Sequence, residues 1–221
     1  MEFFFQVLIN GLSIGFIYAL AALGFVMIFK SSSVLNFAHG ELMAIGAFLF
    51  LVLSTWAKLP LWLAFMLTLI GSFSLGFIIE RFFLRPLIGE ALIEVIMLTV
   101  GLAIMLKGLL LFIFGGDIHS YPEFLPPALT FHWGAVEVPG VYVATFIIGL
   151  IFLALFGFFF KYSSQGIYMR SVADNQPAAM ALGVHVRRVF ALSWAIAALV
   201  AAMSGIVLGI INGINVHEVS S

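Results

Sequence analysis

The sequence predicts an all-α fold, a polytopic bundle of about six membrane-spanning helices, and three observations predict it. Apolar residues make up 64% of the 221 and charged residues only 9%, with a mean hydropathy of +1.23. A soluble domain carries about half apolar and about a quarter charged residues, so a soluble fold is excluded. The apolar residues also fall in long runs: a hydrocarbon core of about 30 Å is crossed by about 20 residues at about 1.5 Å each. Finally, the basic residues crowd into alternate connections between those runs, as the positive-inside rule requires of a multi-pass chain.

By length and hydropathy the spans fall at 4–29, 34–56, 60–80, 91–114, 141–160 and 189–212. The first has no basic leader and its apolar run continues to Phe29. Ala19-Leu20-Ala21, although it resembles a cleavage site, is therefore read as the interior of a retained helix. The second opens on Ser33-Val34-Leu35-Asn36-Phe37-Ala38-His39-Gly40-Glu41. Polar groups entering lipid are costly and face protein, water or headgroups. On a regular helix Asn36 and His39 share a face and Glu41 points away from it, which argues against one compact acid-base site. Two readings stay open for these three residues. Ser33 or Asn36 caps the helix while Glu41 meets the dipole of its first turn, or Asn36, His39 and Glu41 line a pathway or gate. Within the fourth span, Lys107 is expected close enough to the outer end for its stem to reach headgroups.

Placing the 161–190 loop inside puts Lys30, Arg81, Arg85, Lys161, Arg170, Arg187 and Arg188 on the cytoplasmic side and leaves Lys58 alone in an outer loop. This predicts an external amino terminus. Residues 115–140 carry Asp117, Glu123 and Glu137 without a Lys or Arg, and Pro122, Pro126, Pro127 and Pro139 break any long helix. They are expected to form an external loop. Its Phe124, Phe131, Trp133 and Tyr142 suit either an interfacial aromatic belt or a contact for an external partner.

Small residues four apart let helices approach closely where no hydrophobic effect drives them together. Ala197, Ala201, Gly205, Gly209 and Gly213 form one such stripe, and Gly11, Gly15 and Ala19 another. Both are expected to pack helices, in a bundle core or a dimer seam. In the 161–188 loop, Asp174 or Asn175 can cap a helix, Pro177 is tolerated in its first turn, and Gly183 can end it in the left-handed conformation. A two-turn helix is marginal alone, so something should hold it: a partner protein, or the bilayer surface.

Several classes of chemistry lack their residues. There is no cysteine, hence no disulfide or thiolate metal site. No His-Glu-x-x-His or nucleophile-base set is present, and the five histidines are scattered. The nearest thing to a phosphate loop, Gly24 to Ser31, lacks the second glycine and lies in a span. No catalytic, cofactor or metal residue is assigned, and the net charge of -1 points to no nucleic-acid partner. A secondary transporter or channel would show charged pairs or broken helices at mid-membrane, whereas here the ionisable residues fall mostly at span ends.

Asn36-Phe37-Ala38-His39-Gly40-Glu41, preceded by Gly15-Phe16-Ile17-Tyr18-Ala19-Leu20, resembles the opening of the branched-chain amino-acid permeases of ATP-binding-cassette importers. Arg170, Ala173, Asp174, Ala178, Ala179, Leu182, Gly183, Val184 and Arg188, followed by Ala191-Leu192-Ser193-Trp194, resemble that family's coupling region. The likeness runs through nearly the whole chain. It departs at Gln176-Pro177-Ala178, where a general importer pattern shows Glu-Ala-Ala, and at Ser221, beyond which members continue through further spans. The chain is therefore expected to be shorter than a working subunit.

The resemblance implies an inner-membrane permease subunit paired with a second, identical or homologous one. Two cytoplasmic ATP-binding subunits would hold the ATP and Mg, and an external binding protein would deliver substrate. It implies ATPase coupling through Arg170, Asp174, Asn175, Ala178, Ala179, Leu182 and Gly183. Branched-chain amino acids are the implied substrate; urea, short amides and other amino acids are carried by close relatives.

Overall fold

The computed structural model describes residues 2–32, 34–121, 130–133 and 136–216. Its helices are α1 (Glu2–Ser32), α2 (His39–Leu51), α3 (Leu61–Ile79), α4 (Leu92–Phe114), α5 (Gly140–Tyr162), α6 (Ser164–Asp174), α7 (Gln176–Ala181) and α8 (Val186–Asn212). Helices are the natural outcome, because backbone polar groups in lipid must be satisfied within their own segment. α2 continues through a π-helical turn, Val52–Trp56, and α3 through another, Glu80–Leu84, and a 3-10 turn, Arg85–Leu87. Five helices are long and apolar enough to cross a membrane, or six if α5 and α6, bent by 68° at their junction, form one broken span.

α8 is the axis of the bundle. Of its span window 83% is buried, against 33% for α1 and 22% for α4. It packs on α1, α2 and α3, and its small residues make this possible. A Cβ on Gly205 would overlap the Met43 backbone of α2, and one on Gly46 of α2 would overlap Ala202. On the α3 side, a Cβ on Gly76 would stand 2.5 Å from the Trp194 carbonyl oxygen. Backbones this close replace the missing hydrophobic drive with dispersion contacts. Around the seam Leu42, Ala47, Phe48, Trp194, Ala197 and Ala201 form the main core. α4 instead turns Ile104 and Phe112 outward, as lipid-facing residues do.

The second helix differs from the span expected at 34–56. It begins at His39; residues 34–36 form no regular element and 37–38 a turn. Val34, Asn36 and Ala38 are buried while Leu35 and Phe37 are exposed. Asn36 Oδ1 accepts the Ala38 N–H at 3.0 Å, closing a local turn. Asn36 is thus neither on a helical face shared with His39 nor the helix cap; the cap position is Ala38, which has no side chain to offer. Ser33 lies outside the described residues.

A second difference concerns residues 161–188. Two helices, α6 and α7, occupy most of this stretch, and α8 begins at Val186. Between α4 and α5, strands β1 (Thr130–Trp133) and β2 (Val136–Pro139) pair antiparallel, with Phe131 opposite Val138. Phe124 and the side chains of Phe131, Trp133 and Tyr142 lie outside the described residues.

Residues 115–121 fold back over the end of the bundle. His119 exchanges backbone bonds with Ile214 at 2.8 and 2.7 Å, and Tyr121 donates its hydroxyl to the Ala47 carbonyl at 3.0 Å. Burial pushes the Tyr121 phenol well above its ordinary pKa. Phe48 stacks on Phe114 at 4.3 Å and adds to the packing at this end of the bundle. Cavities lie at the opposite end, near α6 and α7.

Candidate functional site

His39 starts α2 deep inside the bundle. Its Nε2–H donates to the Ala21 carbonyl at 3.0 Å, and Ala21 lies about 16 Å from the carboxy end of α1 at the helical rise. The ring also abuts Gly24, near the Ala197 backbone of α8. Below it, Thr99 of α4 donates to the Leu35 carbonyl at 3.3 Å. The non-helical segment 34–38 therefore enters the bundle before α2 begins. Non-helical backbone at this depth is tolerated where protein surrounds it or a cavity is lined, and a helix amino terminus placed there presents positive dipole inside the membrane.

Polar groups gather at this start. Asn36, His39 and Glu41 are all buried. A carbonyl can only accept, so His39 carries its proton on Nε2 and leaves Nδ1 as an acceptor, which has no partner. Asn36 Nδ2 is a donor without a partner. Lys107 lies close enough for its charge to act on the Glu41 carboxylate. The two residues come from different spans, and an intramembrane Lys and Glu were the available signal. The site thus offers one free donor, one free acceptor, a carboxylate and an ammonium. Among the described residues no group of His, Cys, Asp or Glu is placed to hold a metal.

At the other end α5, α6 and α7 form an elbow. Ser163 caps α6 by accepting the Gly166 N–H at 3.0 Å. Gly166 allows the bend, because a Cβ there would overlap the Phe160 backbone. Arg170 donates to the Phe160 and Lys161 carbonyls and lies 5.4 Å from the centre of the Phe160 ring. It therefore anchors α6 to the last turn of α5 rather than reaching outward. Asn175 caps α7, its Oδ1 accepting the Ala178 N–H at 3.0 Å. Pro177 stands in the first turn, and Gly183 has a φ of 85°, where a side chain is strained.

Asp174, Asn175 and Ala178 are exposed with Gly183, and Leu182 is 85% exposed. Ala179 is buried with Met169, Val172, Val186 and Val189. The short helix is thus held by α6 and α8 of its own chain. α6 was hidden in the sequence by its polarity; its signals were the Ser163 cap and the three-residue spacing of Met169 and Val172, which are buried together.

Of the two stripes of small residues, Ala197, Ala201, Gly205 and Gly209 are buried in α8. Gly213 lies just beyond the helix, at its carboxy cap. Gly11, Gly15 and Ala19 are exposed on α1, and a Cβ on either glycine would meet nothing within 4 Å. Among the described residues the α1 glycines meet no neighbouring helix.

Residues 7–219, and so both the buried polar start of α2 and the elbow, match the family described as branched-chain amino acid transport system / permease component. The chain belongs to this family. The permease is 30% identical over 224 residues to the high-affinity branched-chain amino acid transport system permease protein BraD of Pseudomonas aeruginosa, covering 96% of this chain and 72% of that protein. It is 29% identical over 227 residues to LivH of Salmonella typhimurium and 26% over 227 to LivH of Escherichia coli K12, both described in the same words and with the same coverage. No solved structure matches it significantly. Family and spans together make the chain a multi-pass membrane permease, one component of a transport system rather than an enzyme.

Proposed function

We propose that this permease forms part of the translocation pathway of an ATP-driven importer of branched-chain amino acids in the bacterial inner membrane. Two cytoplasmic ATPases drive it, a second permease subunit stands beside it, and an external binding protein delivers substrate. The names of its relatives support the substrate. The observation that carries the mechanism is the elbow: α7 is capped at both ends, exposes Leu182, and is packed through Ala179 against α8, the helix on which the bundle turns. A rigid protrusion joined to the central helix transmits a push. A helix held only by a partner would not.

In this reading the elbow faces the cytoplasm, and closure of the ATPase dimer moves α6 and α7 as one lever. The bundle then switches between two openings. The cavity lined by Gln176, the first residue of α7, would belong to the inward opening. The polar start of α2 lies midway. There a zwitterion finds complementary groups, with Lys107 and the α2 amino terminus toward its carboxylate and Glu41 and His39 Nδ1 toward its ammonium.

Reconstitution with the partner subunits tests this. Leucine uptake should require ATP, and binding protein loaded with leucine should stimulate hydrolysis. Gly183→Val strains the turn that closes α7 by about 1–2 kcal/mol. It should lower uptake about tenfold or more while leaving hydrolysis running. If that variant, or deletion of 175–182, kept uptake fully coupled, the lever is wrong. Pro177→Cys, in a chain without other cysteines, should react with an impermeant thiol reagent only from the inner face.

A further inference from the structure

Among the described residues, Glu80 is the other buried ionisable residue left with an unpartnered atom. It is 1% exposed, and its Oε1 has no hydrogen-bond partner. It opens the π-helical turn Glu80–Leu84 at the end of α3. Such turns insert an extra residue at the expense of hydrogen-bond geometry and recur at functional sites. Here the turn leaves a carboxylate on the wall of a cavity of about 300 Å³. That volume is at the lower end of the range for small-molecule sites.

The cavity has a definite chemical character. Val34, Leu84, Leu92, Val95 and Trp194 give it an aliphatic and aromatic wall, and Glu90 adds a second carboxylate. Among the described residues no Lys or Arg lines it. Arg81, Arg85, Arg187 and Arg188 border a second cavity of about 440 Å³, which Glu80 also lines. Arg81 and Arg85 act on Glu80 through their charge, yet Oε1 receives no hydrogen bond from them. A buried carboxylate oxygen without a donor is costly, and the cost falls when a cation reaches it. Gln176, the first residue of α7, lines the same cavity, as does Val34 of the non-helical segment that leads up to Asn36 and His39. The cavity therefore connects the lever to the foot of the candidate pathway.

We propose that this cavity is the inward holding point of the transport path, where the Glu80 carboxylate binds the ammonium group of an aliphatic amino acid. The aliphatic wall receives its side chain. Through Gln176, movement of α7 opens or closes the site directly. The inference rests on the transport reading above and adds a substrate-binding residue to it.

The test uses the complete importer in proteoliposomes with radiolabelled leucine. Glu80→Gln should lower uptake about tenfold, the scale of one lost charge-assisted hydrogen bond, with assembly and ATP hydrolysis retained. Glu80→Asp should keep most of the uptake. If Glu80 served only to balance its arginines, the double variant Glu80→Gln/Arg85→Gln would recover uptake, and that recovery would overturn the proposal.

A second measurement does not depend on Glu80 variants folding. Val34→Cys in this cysteine-free chain should react about tenfold faster with a trimethylammonium thiosulfonate than with a sulfonate one, as an acidic cavity requires. Leucine should protect it. Preference for the anionic reagent, or no protection, rejects the assignment. A working wild-type importer with an indifferent Glu80→Gln variant sinks this inference alone, whereas a wild-type complex that takes up no leucine sinks the transport reading on which it stands.

Discussion

The small-residue stripes of α1 and α8 look alike as sequence and stand differently in the protein. In α8, Ala197, Ala201, Gly205 and Gly209 are buried, and Gly205 admits the Met43 backbone of α2. In α1, Gly11 and Gly15 have nothing within reach of a Cβ, although Gly24, further along the same helix, is filled by the His39 ring. Spacing by four tells that a helix can be approached closely. It does not tell which segment approaches.

The contrast is open to direct attack, and the largest effect belongs to Gly205→Leu. The obstructing atoms are backbone, which cannot swing aside, so α2 and α8 must separate. A loss of about 3 kcal/mol or more is expected, seen as a sharp fall in thermal stability of the detergent-purified protein. Gly76→Ala should be milder, about 1–3 kcal/mol, because its Cβ would meet the Trp194 carbonyl oxygen at 2.5 Å and the Ala198 Cβ at 2.7 Å. At Gly15→Leu the same assay should show a change within about 0.5 kcal/mol, as at surface positions without partners. A destabilised Gly15→Leu monomer, or an unaffected Gly205→Leu, would erase the distinction between the stripes.

The elbow and the α2 start differ in how far the sequence revealed them. Asn175, Pro177 and Gly183 announced α7 because caps and left-handed turns are local: each is decided by bonds within a few residues. The start of α2 was misplaced for the opposite reason. Hydropathy cannot separate a non-helical apolar segment such as 34–38 from a helical one, and Asn36 closes a local turn with the Ala38 N–H rather than capping a helix. Arg170 ties α6 to the last turn of α5 through the Phe160 and Lys161 carbonyls, a link between segments that no local pattern announces. Glu80 gave no distinctive signal, since neither the π-turn nor the cavity beside it is written in nearby residues.

The helical, multi-span class, the family and the cap-to-cap design of α7 were legible in the sequence alone. Hydropathy acts over one segment at a time, and turn chemistry over one turn. Tertiary structure alone decided that α8 is the axis and that the α1 stripe is open. It also decided that α2 begins inside the bundle, against α1, and that Glu80 lines a cavity it shares with Glu90 and Gln176. Each of these depends on the packing of segments far apart in the chain, such as Gly205 on Met43 and Trp194 on Gly76. In a membrane that packing is chosen by shape and polar pairing, because burial from water no longer separates one apolar face from another.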